Sequence, residues 1–165
     1  IQDVGVQPTV LSSADHIAGA LPLIHTNCTI VKLHGDYLDT RIRNTPEELS
    51  KYSRKLDALL DRILDEFGLV LCGWSGEWDE ALRAALTRAP SRRFSTYWAA
   101  RGTPGARAGE LIVHRQAQVI EITGADAFFQ SLAEKVTALE EYSRPHPLST
   151  EAALAALKTY LDCLP

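Results

Sequence analysis

Cysteine is scarce in this chain, and neither sign of charge is in strong excess. Only three cysteines occur among 165 residues, Cys28, Cys72 and Cys163. The first two lie inside apolar runs, where a thiol packs as a small hydrophobe. This sparsity excludes a disulfide framework and a cysteine-based metal knuckle, so no metal site is expected. The formal net charge of −4 gives no electrostatic footprint for nucleic acid. The neighbouring Arg92 and Arg93 read as a solvated corner between a helix and a strand. No apolar run of about 18 residues, signal peptide or lipidation motif occurs, so the expectation is a reducing cytoplasm and no membrane partner. Internal repeats and low-complexity segments are also absent.

What the chain does have is an ordinary globular composition, 45% hydrophobic and 23% charged. A domain of this length buries roughly two-thirds of its unfolded surface. Four short apolar runs predict buried strands at 28–33, 69–72, 94–98 and 119–122. A further short strand at 9–11 and a helical turn near 14–18 are expected in the less regular first 27 residues. Three helical stretches separate the main strands. The first is expected from Thr45 as N-cap, with Pro46 in the first turn and Gly68 at the end. Its stripe comprises Tyr52, Leu56, Leu59, Leu60, Ile63, Leu64 and Phe67. The second spans 79–88, and the third runs from Thr103 and Pro104 towards His114. A long helix at 126–143 follows, then a break at Arg144-Pro-His-Pro147 and an Ala/Leu-rich helix at 149–161. Strand-helix alternation predicts right-handed crossovers and an α/β fold with a three-layer, Rossmann-like parallel sheet. The expected division is 1–143 for this domain and 144–165 for a linker and extra C-terminal helix.

Open α/β sheets bind ligands at the carboxyl ends of their strands. Two such ends carry chemistry. Leu33-His34-Gly35 places an imidazole, able to take a proton from a substrate hydroxyl, beside a glycine that admits close approach to the backbone. Asp36 and Asp39 are candidates to orient it or to cap the following loop. Gly73-Trp74-Ser75-Gly76 has the order of a nucleophile elbow, but Glu77 stands where that elbow needs glycine. A phosphate or ribose cradle fits better, with the amides of Gly76 to Trp78 free at a helix start. A plain tight turn explains the same glycines. Glu77 and Asp79 are dipole-complementing acids there, or partners for a sugar hydroxyl. Trp74, Trp78 and Trp98 all fall at or just after strand ends, where aromatic faces stack on rings; core packing is the simpler role for Trp98.

Taken in order, Lys32-Leu-His-Gly-Asp36, Leu71-Cys-Gly-Trp-Ser75, Ser95-Thr-Tyr-Trp-Ala-Ala-Arg101 and Val119-Ile-Glu-Ile-Thr-Gly-Ala125 resemble the sirtuin-like superfamily. The similarity is to its prokaryotic branch without a zinc ribbon, found in defence and NAD-depletion proteins, and covers about residues 6–140. The resemblance implies that His34 is the catalytic base towards the nicotinamide ribose. It also implies that Gly73, Trp74 and Ser75 lie nearest the phosphate and ribose, Trp98 near the adenosine ribose, and Gly124 and Ala125 beside adenine. Trp74 replaces the family's usual Thr, and Trp98 and Ala99 stand where the family has Asn. The family's glycine-rich opening unit and Asn-x-Asp strand do not occur. The expectation is therefore the carboxyl-terminal portion of an NAD-binding domain, incomplete at its amino-terminal end and inactive by itself.

The function so implied for the parent protein is cleavage of the nicotinamide-ribose bond of NAD. The partner is NAD or an ADP-ribose-like nucleotide, and homo-oligomer formation is an added expectation. A catalytically idle nucleotide sensor or oligomerisation module is the alternative. An NAD-dependent deacylase and a Ser hydrolase using Ser75 are fainter ones; the missing Cys-x-x-Cys pairs weigh against the former.

Overall fold

A computed structural model describes residues 5–35, 52–143 and 150–162. The chain divides into two compact units, Ile1–Ile122 and Thr123–Pro165. Within the first, the described elements are β1 (Thr9–Leu11), α1 (Ala14–Gly19), a 3-10 turn (Leu23–His25), β2 (Thr29–Val31), α2 (Arg54–Glu66), β3 (Leu69–Cys72), α3 (Glu80–Arg88), β4 (Thr96–Ala100), α4 (Ala106–Arg115) and β5 (Gln118–Glu121). The second unit carries α5 (Ala125–Ser143) and α6 (Thr150–Asp162). No helix among the described residues is long and apolar enough to cross a membrane.

The architecture is mixed α/β with two small parallel sheets, compatible with a Rossmann-like arrangement. β1 pairs with β2 in one; β3, β4 and β5 lie in that order in the other. The single continuous sheet expected from the sequence is thus divided into two hydrogen-bonded pieces. Three-residue β2 pairs with β1 alone, because pairing depends on which strand edges meet and not on apolar content. In the larger sheet Leu69 is in register with Thr96, and Tyr97 with Gln118.

Local chemistry explains the helix ends. Ser53 accepts a hydrogen bond from the Leu56 amide at 3.3 Å and starts α2. That start corrects the expected helix: Tyr52 and Ser53 are non-helical, so the stripe begins at Leu56. The expected cap at Thr45 lies outside the described residues, as do Asp36, Asp39 and the 144–147 break. Asp79 caps α3 through the Leu82 amide at 2.8 Å. That helix stops at Arg88, just before Ala89 and Pro90. β4 begins two residues later than the apolar run predicts, because exposed Phe94 lies outside it while buried Ala99 lies within.

Two apolar clusters fill the first unit. Leu64, Leu86, Ala89, Trp98, Ala108 and Leu111 form one between the larger sheet and α2, α3 and α4. Tyr52, Leu56, Leu60, Ala81 and Ala85 form the other, with Val31 and Leu33 packed against it. Each fully buried leucine contributes about 1.5–3 kcal/mol. The second cluster fixes the site, because it packs the β2 end against the start of α3.

Candidate functional site

His34 stands in the turn that follows β2, closed by a 3.2 Å hydrogen bond from the Gly35 amide to the Lys32 carbonyl. Gly35 adopts φ +87°, a left-handed conformation that a side chain would strain. The imidazole side chain is 52% exposed, and its Nε2 lies 3.1 Å from Oδ2 of Asp79, which is only 10% exposed. Asp79 follows β3, so the contact joins the two strand ends picked out in the sequence. Tyr52, buried in the apolar cluster, donates its phenolic hydrogen to the same carboxylate, with distances of 2.9 Å to Oδ2 and 3.2 Å to Oδ1. The His34 and Tyr52 rings are tilted at a centroid separation of 6.4 Å. An imidazole backed by a nearly buried carboxylate can accept a proton from a bound hydroxyl while the carboxylate holds its ring.

The turn after β3 leads into the cap of α3. Of the three amides expected free at a helix start, that of Glu77 is occupied: it donates to Ser75 Oγ at 3.3 Å, and α3 begins only at Glu80. Arg83 fastens the turn by donating to the carbonyls of Gly76 and Glu77 at 2.9 and 2.6 Å. Gly76 is buried at φ +78°, and a Cβ there would lie 3.4 Å from backbone atoms of Ala108. Across the same seam, a Cβ on Gly105 would lie 3.0 Å from Glu77 Oε1. α4 starts at Ala106 with extended Gly105 as its cap, later than the Thr103 start expected from the sequence. Gly73 and Ser75, by contrast, are exposed, and no atom lies within 4 Å of where a Gly73 Cβ would sit. No hydrogen bond joins Ser75 to His34.

The tryptophans take three roles. Trp98 is 3% exposed in the core and supports half-buried Trp74 from behind, with ring centroids 5.8 Å apart. Trp98 therefore presents no surface of its own to a ligand. Trp78, beside Asp79, is 91% exposed. Gly124 and Ala125 open the second unit, where the Gly124 carbonyl accepts the Phe128 amide at 3.1 Å. Among the described residues no cluster of His, Cys, Asp and Glu could hold a metal ion, and Cys28 and Cys72 are free thiols.

Sequence reasoning singled out His34 but missed its two partners. Asp79 reads as a helix cap, which it is, and one carboxylate oxygen remains for a second task. Tyr52 reads as one rung of a helical stripe, and its place outside the helix is the signal that was lacking. No protein-family model matches the chain, and no curated protein matches it.

Proposed function

We propose that this chain is a sirtuin-like, Rossmann-like α/β domain that binds NAD, and that the intact protein cleaves the nicotinamide-ribose bond. The reaction is NAD plus water giving nicotinamide, ADP-ribose and a proton. One observation carries the reading: a half-exposed His34 just after a parallel strand, held by the carboxylate that caps the helix following the next strand. Such a group accepts the proton of a ribose hydroxyl, raising electron density on the sugar as the carbon-nitrogen bond breaks and water takes its place. Gly73 and Ser75 support the reading because they leave an exposed, uncrowded approach beside Trp74. Gly76 and Trp98 support the turn and the core, and the nucleotide contacts fall to Gly73, Trp74 and Ser75.

Incubation of the intact protein with NAD tests the proposal. Nicotinamide release is expected, and His34→Ala is expected to abolish it; equal release by the variant overturns the assignment. Calorimetric binding of NAD or ADP-ribose with no product would mark a nucleotide sensor instead.

A further inference from the structure

The carboxylate of Asp79 is fully employed, and its arrangement dictates which nitrogen of His34 faces a ligand. Oδ1 accepts the Leu82 amide at 2.8 Å. Oδ2 accepts the Tyr52 hydroxyl at 2.9 Å and lies 3.1 Å from His34 Nε2. A carboxylate has no hydrogen to give, so in the neutral imidazole Nε2 must carry the ring hydrogen. Nδ1 then keeps its lone pair, and no described residue hydrogen-bonds to it.

We infer that Asp79 is a positioning residue that holds His34 in the Nε2–H form. Nδ1 is then the working atom, and the ligand of this site must bring a hydrogen-bond donor, such as a sugar hydroxyl, to it. The tautomer follows from geometry alone, whereas the catalytic consequence rests on the NAD reading above. Tyr52 acts one step further back: its hydroxyl holds Oδ2 from the core side, so the carboxylate cannot swing away from the imidazole.

The substitution Asp79→Asn discriminates sharply. Asparagine is as good an N-cap as aspartate, so α3 should persist with the amide oxygen on the Leu82 amide. The amide NH₂ then replaces Oδ2 and turns a donor towards His34, so the imidazole must offer Nε2 as acceptor and carry its hydrogen on Nδ1. The test is long-range ¹H–¹⁵N NMR of His34 at a pH where the ring is neutral, in the ligand-free protein, beside steady-state kinetics with NAD. The expected results are Nε2–H in the parent and Nδ1–H in Asp79→Asn, with kcat lower by about 10²-fold or more and KM little changed. Asp79→Ser keeps a good cap but is too short to reach the ring, and should release His34 to the tautomer mixture of unrestrained imidazole. Nδ1–H in the parent, or Nε2–H retained in Asp79→Asn, overturns the inference. A tautomer reversal in a protein that releases no nicotinamide supports the positioning role and removes the NAD reading alone.

Discussion

Tyr52 donates its phenolic hydrogen to Oδ2 of Asp79 at 2.9 Å, joining a residue just ahead of α2 to the cap of α3. The bond closes the site from the core side. Tyr52→Phe keeps the ring in its apolar cluster but removes one donor from a nearly buried carboxylate. A loss of about 1–2 kcal/mol is expected, seen as a lower urea midpoint with an unchanged slope.

Gly73 and Gly76 share a left-handed backbone, with φ +75° and +78°, but not their surroundings. Gly73→Ala should cost about 1–2 kcal/mol from backbone strain alone. Gly76→Ala adds a methyl at ordinary contact distance, 3.4 Å from the Ala108 backbone and 3.6 Å from the Trp98 ring, so its burial offsets part of the same strain and its melting temperature should fall less. Equal shifts in thermal melts would show that the seam against α4 carries no weight.

Arg115, 5% exposed, donates from Nη1 to the carbonyls of Ala89 and Ser91 at 3.2 and 2.9 Å. It thereby places a cation at the C-terminal end of α3, where the helix dipole favours one. Its Nε has no hydrogen-bond partner among the described residues. Burial pushes the guanidinium below its ordinary pKa, and the positive Arg92 adds to that shift. Arg115→Ala should cost about 3 kcal/mol, from unpaired carbonyls and a cavity, and Arg115→Met less. Relieving the repulsion with Arg92→Ala should stabilise by a few tenths of a kcal/mol. Denaturant titrations of the three variants measure this directly.

Arg88 links α3 to α2 through Asp61 and Asp57, each with an N···O distance of 2.9 Å. The hydrogen bond to Asp61, before that to Asp57, holds the guanidinium above its ordinary pKa. All three side chains are partly exposed, so solvent screens the pairs and Arg88→Ala should cost about 0.5 kcal/mol. Repeating the comparison of urea midpoints in 1 M salt should shrink that difference, because the Debye length falls to about 3 Å.

Short-range chemistry was legible in the sequence. β3 at Leu69–Cys72, the start of α3 at Asp79 and the strand and helix at 9–19 follow from apolar runs and caps, whose causes lie within a few residues. His34 at a strand end was legible for the same reason. Tertiary structure decided what depends on distant parts of the chain: the division of the strands into two sheets, the burial of Trp98, and the occupation of the Glu77 amide and Gly76 seam. It also decided that Tyr52 leaves the helical stripe and that Asp79, beyond capping α3, meets His34. A cap is a contact along the chain, whereas a tautomer is fixed by the group that packing brings to the other side of the ring.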